Sequence, residues 1–220
     1  MPNFQRGRNL KRWKSNRPPA EGGKLRIVGG KYRGRQIEYS GDPVTRPMKD
    51  NIREALFNLI GGWVSGKAAI DLFAGTGAMG LEAVSRGATR AFLIERHFPT
   101  VRIIRGNVRT IEPEVPVEVC PSDTFFWARE FLADPERHPA EPWAIFCCPP
   151  YDFFVERRDE LLQMIEALIE AAPADSIVVV ESDDRFDPAL LPEPTRWRVR
   201  QYAPALISVL RPDPVEADAE

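Results

Sequence analysis

The feature that most constrains the fold of this chain is a repeated strand-then-helix pattern that begins near residue 67. Five apolar stretches of strand length are separated by longer stretches with helical periodicity. The strand patterns lie at 68–72, 91–95, 115–120, 143–147 and 176–181, and the helical patterns lie at 78–86, 97–110, 123–133 and 156–171. Because strands joined through helices pair in parallel with right-handed crossovers, the pattern predicts an α/β fold with a doubly wound sheet.

The pattern changes after the fifth strand. Strand-like runs at 197–202 and 206–210 are separated only by residues 203–205. This connection is too short for a crossover helix, so the two runs are expected to pair as an antiparallel hairpin. The sequence therefore predicts a seven-stranded sheet, in which five parallel strands are followed by a C-terminal antiparallel hairpin.

Two patterns precede the alternating region. Residues 25–39 alternate apolar and polar side chains around a turn rich in Gly and Arg, which predicts a small β-hairpin. Ile52, Leu56, Leu59 and Ile60 then recur at helical spacing before a Gly pair. We divide the chain into a disordered basic arm at 1–23, a hairpin-and-helix segment at 24–62, the main α/β domain at 63–211 and a disordered acidic tail at 212–220.

Charge is distributed unevenly along the chain. Residues 1–53 carry fourteen Lys or Arg and four Asp or Glu, whereas residues 54–220 carry sixteen and twenty-eight. A basic end on an acidic body is typical of a protein that binds a polyanion, and nucleic acid is the first candidate. The alternative is a solvated charge run without a partner. We favour nucleic acid and assign its binding to the segment at 24–62.

Other features exclude several classes of protein. The chain has no apolar run of the ~20 residues that a membrane helix needs, and its first residues lack the apolar core of a secretory signal. Cys120 is isolated and Cys147 is adjacent to Cys148, which gives neither a disulfide framework nor a zinc motif. His97 and His138 have no metal-ligand partner at useful spacing. We expect a cytoplasmic protein that binds no metal and contacts no membrane.

A glycine-rich loop leaves the first strand of the alternating region and opens a helix. Gly75, Gly77 and Gly80 match the Gly-x-Gly-x-x-Gly fingerprint of dinucleotide sites, where glycine lets the backbone approach the ligand closely. Glu95 ends the next strand, about 20 residues further on, where a carboxylate accepts hydrogen bonds from a ribose. A nicotinamide dinucleotide is therefore one candidate cofactor.

Asp71 favours a different cofactor. It lies before Gly75, at a strand end where burial would favour an apolar residue. A pyrophosphate bound at the helix N-terminus gains nothing from an added carboxylate, whereas the cationic S-adenosylmethionine does. Together with Phe73, the glycine loop and Glu95, this position favours S-adenosylmethionine. Asp123, after the third strand, is a candidate adenine contact or the N-cap of the next helix.

After the fourth strand the chain continues as Cys148-Pro149-Pro150-Tyr151. A Pro-Pro-aromatic motif after an adenosylmethionine loop resembles the Asn/Asp-Pro-Pro-Tyr/Phe motif of exocyclic-amine N-methyltransferases. Within that group the chain is similar to the RsmD family of bacterial 16S rRNA guanine-N2 methyltransferases. Four segments carry the resemblance: RIVGGKYRGR (26–35), TRPMKDNIREALFN (45–58), DLFAGTGAMGLEA (71–83) and PPY (149–151).

The resemblance implies a Rossmann-like class I methyltransferase that uses S-adenosylmethionine to methylate N2 of a guanine in small-subunit rRNA, free or in an assembling 30S particle. We expect a monomer. The target base is expected to lie against Cys148, Pro149, Pro150 and Tyr151, with its ring stacked on the tyrosine. Cofactor contacts are expected at Asp71, Phe73, Gly75, Gly77, Gly80, Glu95 and Asp123. Phosphate contacts are expected at Arg26, Lys31, Arg33, Arg35, Arg46, Lys49 and Arg53.

The chain departs from the family at one position of this motif. Cys148 stands where the family has Asp and its relatives have Asn, whose side chain accepts a hydrogen bond from the target amine. A thiol is a weak acceptor, so the backbone carbonyls of Cys148 and Pro149 and the ring of Tyr151 remain. Two alternatives stay open: an adenine-N6 methyltransferase that acts on nucleic acid, and an rRNA-binding ribosome assembly factor that has lost catalysis.

Overall fold

A computed structural model describes residues 22–39, 41 and 48–211. The predicted arm up to position 21, the predicted phosphate contact Arg46 and the predicted tail at 212–220 lie outside the described residues. Within the described ranges, no helix is both long enough and apolar enough to cross a membrane. The same residues contain no cluster of three His, Cys, Asp or Glu side chains that could hold a metal ion.

The strands form two separate sheets. The small one is antiparallel and consists of β1 (Gly23–Arg26) and β2 (Gln36–Tyr39). The main sheet contains β3 (Ala68–Asp71), β4 (Arg90–Glu95), β5 (Val117–Pro121), β6 (Trp143–Cys147), β7 (Ile177–Asp183), β8 (Trp197–Tyr202) and β9 (Ala205–Leu210). Its spatial order is β5-β4-β3-β6-β7-β9-β8. Strands β3 to β7 are parallel and β9 is antiparallel to both of its neighbours, so the predicted fold class is confirmed.

The helices connect these strands in the predicted places. They are α1 (Asp50–Ile60), α2 (Ala78–Ser85), α3 (Phe98–Ile111), α4 (Thr124–Ala133), α5 (Phe153–Glu156) and α6 (Arg158–Ala171). The helical pattern predicted at 156–171 is divided, because Arg157 (φ −131°, ψ 27°) leaves the helical conformation between α5 and α6. The other predicted bounds differ little from the observed ones, as is usual for helix and strand ends.

The main sheet separates two hydrophobic layers. On β3, Ala69 packs into the layer that contains α1, α2 and α3, whereas Ala68 and Ile70 pack into the layer that contains α4 and α6. Strands buried on both faces consist of continuous apolar runs, which is the pattern seen in the sequence. Ile27 and Ile37 of the hairpin belong to the first layer, so the N-terminal hairpin shares a core with the main sheet.

Buried polar side chains hold this hairpin against α2 and α3. Glu82 on α2 accepts a hydrogen bond from the Val28 N–H at 2.8 Å. Asn107 on α3 accepts from the Glu38 N–H at 2.8 Å and donates to the Glu38 carbonyl at 2.8 Å. The same amide donates to the Thr76 carbonyl in the glycine loop at 3.0 Å. The basic hairpin is thereby fixed next to the glycine loop.

Candidate cofactor and base-binding site

The carboxyl ends of β3, β4, β5 and β6 lie along one edge of the main sheet, where ligands bind in doubly wound folds. The loop between β3 and α2 lies at this edge. Gly75 and Gly77 have φ angles of +52° and +77°, in the left-handed region that favours glycine. Gly80 instead lies inside α2, where a Cβ would come within 2.1 Å of Leu93 Cδ2. This third glycine allows α2 to pack closely on β4.

Asp71 is a buried carboxylate at the end of β3, only 1% exposed. Its Oδ2 accepts a hydrogen bond from the Gly80 N–H at 3.1 Å, whereas Oδ1 is buried without a hydrogen-bond partner among the described residues. Burial, with a smaller contribution from the negative charge of Glu95, raises the pKa of the Asp71 carboxyl to about 7. A buried acceptor oxygen without a partner suits a cationic ligand group, and S-adenosylmethionine carries an ammonium and a sulfonium.

This geometry predicts that cofactor binding depends on pH. An ammonium group beside Asp71 favours the ionised carboxylate, so the pKa of Asp71 should fall when the ligand binds. The affinity for S-adenosylhomocysteine, which carries this ammonium, is therefore expected to rise about tenfold from about pH 6 to about pH 8, because the Asp71 carboxyl of the free protein has a pKa of about 7. Titration calorimetry across this range measures the affinity.

The control for this experiment is the variant His97→Asn. Histidine is the usual origin of pH dependence near neutrality, and the His97 N–H lies against Glu95 at the same edge. The variant should show the same rise in affinity as the wild-type protein. An affinity that is constant with pH, or a pH dependence that disappears in His97→Asn, would contradict the role of Asp71.

Glu95 ties the glycine loop to the end of β4. Its Oε2 accepts a hydrogen bond from the Gly75 N–H at 3.0 Å, and its Oε1 accepts from the His97 N–H at 2.7 Å. The residue is partly exposed, and each carboxylate oxygen can accept a further hydrogen bond. The side chain can therefore hold the loop and accept two ribose hydroxyls at the same time, which is the contact that the sequence predicts.

Asp123 lies at the start of α4. Its Oδ1 accepts hydrogen bonds from the N–H groups of Phe125 at 3.1 Å and Phe126 at 3.3 Å, so the N-cap that the sequence allowed is present. Its other oxygen lies 4.0 Å from the Arg157 guanidinium. An adenine contact by this second oxygen stays a prediction.

An aromatic cluster beside the loop was missed by the sequence reasoning, apart from Phe73. The Phe73 ring packs edge-on against Phe125 and Phe153, with centroid distances of 6.3 and 5.8 Å. The Arg157 guanidinium lies 3.9 Å from the centroid of the Phe125 ring, within cation–π range. The available signal was the two Phe-Phe pairs of the sequence. The cluster gives this edge an apolar wall of the kind that an adenine ring packs against.

The loop with the two prolines leaves β6 directly beside β3, since Phe146 pairs with Asp71. Tyr151 donates a hydrogen bond from its hydroxyl to Glu181 Oε1 at 2.8 Å. The Cys148 thiol is partly buried. Its burial raises its pKa well above the ordinary value, and the negative charge of Glu181 raises it further. The side chain is therefore a neutral thiol and a weak acceptor. Sequence reasoning missed Glu181, because no local motif connects it with Tyr151.

The two prolines of the loop have different environments. Pro149 is buried and Pro150 is exposed. The Pro150 carbonyl accepts a hydrogen bond from the Phe153 N–H at 2.9 Å, which helps to start α5. None of the residues that the structure describes donates to the Pro149 carbonyl. This carbonyl is thus left as an acceptor for a ligand.

One of the predicted phosphate contacts, Arg53, does not lie at the surface. Its side chain is fully buried on the inner face of α1, together with Leu56. The guanidinium binds Asp50 at 2.9 Å and lies 3.7 Å from Glu82, which is also fully buried. A side chain in this position cannot reach a phosphate, so the predicted RNA contact of Arg53 is wrong and its role is structural.

The other described cations of this set lie at the surface. Three of them have partners: Arg26 pairs with Asp50, Lys31 pairs with Glu114, and Arg35 donates to the Ile111 carbonyl at the end of α3. Arg33 and Lys49 are exposed and form no ion pair with any described residue. These two side chains are the most available for contact with a phosphate.

The strand order and the chemistry of its carboxyl edge place the molecule among the class I methyltransferases. Residues 25–206 match the model of a protein family described as Conserved hypothetical protein 95. The chain belongs to this family, the RsmD family of S-adenosylmethionine-dependent methyltransferases. Membership decides between the two cofactor interpretations, in favour of S-adenosylmethionine over a dinucleotide.

Individual relatives agree with this assignment. YlbH of Bacillus subtilis (strain 168), named as a candidate rRNA methyltransferase, is 30% identical over 169 residues, which cover 77% of this chain and 86% of that protein. Ribosomal RNA small subunit methyltransferase D of Escherichia coli (strain K12) is 40% identical over 90 residues, which cover 41% of this chain and 46% of that protein. The solved structure of a candidate methyltransferase, yhhF from Escherichia coli, matches with a TM-score of 0.68 at 28% sequence identity. The match covers 86% of this chain and 99% of the chain in that structure.

Proposed function

We propose that this protein methylates the exocyclic N2 of a guanine in small-subunit rRNA, with S-adenosylmethionine as the methyl donor. The observation that carries the proposal is the position of the loop from Cys148 to Tyr151, which leaves β6 beside the strand that ends in Asp71. The names of the relatives support an rRNA substrate. We further propose that the protein acts in the bacterial cytoplasm as a monomer, on rRNA or on an assembling 30S particle.

The protein's part in this reaction is to position two partners. Bound S-adenosylmethionine supplies an electrophilic methyl group on a sulfonium. Asp71 and Glu95 would hold its ammonium and its ribose, while the Tyr151 ring stacks on the flipped base. The carbonyls of Cys148 and Pro149 would accept hydrogen bonds from the target amine. No strong base is needed, because the nucleophile is a neutral amine and much of the acceleration comes from proximity and orientation.

Cys148 supports a second candidate function. With one side-chain acceptor fewer, the chain could keep its cofactor and RNA sites and yet transfer no methyl group, as a ribosome assembly factor would. An adenine-N6 methyltransferase is a further candidate, because the same Pro-Pro-aromatic motif serves that amine as well. The nature of the product distinguishes all three functions.

Methyl transfer to small-subunit particles tests the proposal. Particles from a strain that lacks this protein are incubated with the purified full-length chain and isotope-labelled S-adenosylmethionine, and the rRNA nucleosides are identified by mass spectrometry. Labelled N2-methylguanosine is the expected product. Labelled N6-methyladenosine would instead support the adenine enzyme. Cofactor binding without transfer to any nucleoside would support the assembly factor.

The proposed RNA-binding surface is tested by removing Arg33 and Lys49, the two cations that form no ion pair with any described residue. In the double variant Arg33→Ala/Lys49→Ala, the slope of log affinity for small-subunit rRNA against log salt is expected to fall by about two, roughly one for each lost phosphate contact. Arg35 is left in place because it also binds the end of α3. Filter binding over a range of salt concentrations measures the slope.

The matched control is Arg129→Ala/Arg137→Ala, which removes the same charge from two exposed positions on and after α4. Its RNA affinity should equal that of the wild-type protein. Neither double variant should change the affinity for S-adenosylhomocysteine. Wild-type RNA affinity and an unchanged salt slope in Arg33→Ala/Lys49→Ala would show that the segment at 24–62 does not bind RNA through these side chains.

A further inference from the structure

A buried carboxylate lies beside the target-base motif and takes no part in the cofactor site. Glu181 is 9% exposed on β7, and the pairing of Cys147 with Val180 places it next to Cys148 across the two strands. The Tyr151 hydroxyl donates to its Oε1 at 2.8 Å. The carboxylate is therefore fixed at the edge of the ring on which a base would stack.

The hydrogen bonds of this carboxylate are incomplete. Oε1 accepts from Tyr151, whereas Oε2 accepts from no residue within the described ranges. Oε2 is not one of the fully buried side-chain atoms that lack a partner, so it stays accessible to a ligand. Burial raises the pKa of the Glu181 carboxyl, and this effect exceeds the lowering by the hydrogen bond from Tyr151. A ligand that presents two adjacent hydrogen-bond donors would complete the pairing.

Guanine is the base with that pattern. Its Watson–Crick edge presents two donors side by side, N1–H and the exocyclic N2–H₂, and flipped bases are read through this edge. Adenine presents its N1 acceptor beside its exocyclic amine. Because a carboxylate can only accept, it fits the guanine edge and repels N1 of adenine.

We propose that Glu181 selects guanine as the target base by accepting hydrogen bonds from N1–H and from one hydrogen of N2, and that it supplies the side-chain acceptor that Cys148 does not. This inference rests on the proposed function, since it requires amine methylation at the same motif. The second N2 hydrogen is left for the Pro149 carbonyl, so in this arrangement Glu181 takes the place that the Cys148 carbonyl would otherwise have as an acceptor for the amine. Both hydrogens are then held near the plane of the base, and the face of the amine stays open to the methyl group.

The variant Glu181→Gln tests this selection, because glutamine has the same size but presents one donor and one acceptor. Single-turnover methyl transfer to small-subunit particles is expected to fall by roughly 100-fold or more, since the amide donor faces guanine N1–H. The affinity for S-adenosylhomocysteine and the melting temperature should stay at their wild-type values. Glu166→Gln, the same change at an exposed position of α6, should leave the rate unchanged.

A base analogue separates selection from a structural role. Reconstituted particles with 2-aminopurine at the methylated position keep the N2 amine but present N1 as an acceptor. The wild-type protein should prefer guanine, and Glu181→Gln should prefer 2-aminopurine, because its amide can donate to N1 and accept from N2. A variant with the wild-type rate, or one that still prefers guanine, would overturn the role of Glu181. Absence of transfer by the wild-type protein would instead overturn the proposed function, and the inference with it.

Discussion

Removal of the Glu95 carboxylate is expected to abolish tight cofactor binding. In Glu95→Ala, the affinity for S-adenosylhomocysteine should fall about 100-fold or more, because each hydrogen bond to a charged group contributes ~1.5–3 kcal/mol and a ribose offers two hydroxyls. The substitution also releases the N–H groups of Gly75 and His97, which hold the loop in place through this side chain. Titration calorimetry gives the dissociation constant.

The control for this effect is Glu118→Ala. Glu118 is an exposed carboxylate on the neighbouring strand β5, so the same deletion there should leave the affinity unchanged. Circular dichroism of both variants verifies that the sheet is intact. A loss of less than about threefold in Glu95→Ala would be too small for two hydrogen bonds to a charged acceptor, and would remove Glu95 from the ribose site.

Deletion of the Glu82 carboxylate is expected to cause the largest loss of stability. Glu82 and Arg53 are both fully buried, 3.7 Å apart, and Glu82 also accepts from Arg86 and from the Val28 N–H, each at 2.8 Å. In Glu82→Ala, the free energy of unfolding should fall by about 3–5 kcal/mol, because removing one member of a buried ion pair leaves the other charge poorly compensated. Urea denaturation measures this free energy.

Glu54→Ala provides the comparison, since Glu54 lies on the exposed face of α1. Its free energy of unfolding should stay within about 0.5 kcal/mol of the wild-type value, as is usual for surface substitutions. A loss of less than about 1 kcal/mol in Glu82→Ala would show that the buried charges do not hold the N-terminal hairpin against α2.

The fold could be predicted because its signals are local. Strands β6 and β8 have the predicted bounds. A continuous apolar run marks β6, which is buried along its whole length, whereas alternation of apolar and polar residues marks β8, which is largely exposed or half-buried. The glycine loop could be located for the same reason, because its residues and Asp71 are close together in the chain. The left-handed φ angles of Gly75 and Gly77 explain why glycine occupies those two positions.

What could not be predicted depends on packing between distant segments. Glu181 meets Tyr151 only because β7 pairs with β6, and no pattern near either residue indicates this contact. Arg53 was assigned to the surface from its charge alone. Its helical spacing from Leu56 and Ile60 placed it on their face, which is the buried one. Periodicity was the better guide there, because an arginine can be buried when carboxylates and carbonyls pair with it.

The central claim, that this protein methylates guanine N2 in small-subunit rRNA, is tested most directly in cells. Nucleosides of 16S rRNA are compared by mass spectrometry between the parent strain, a deletion strain, and the deletion strain complemented with the wild-type gene or with Tyr151→Ala. We expect one N2-methylguanosine to disappear on deletion, to return with the wild-type gene and not to return with Tyr151→Ala. An N2-methylguanosine content that is the same in the parent and the deletion strain would contradict the claim.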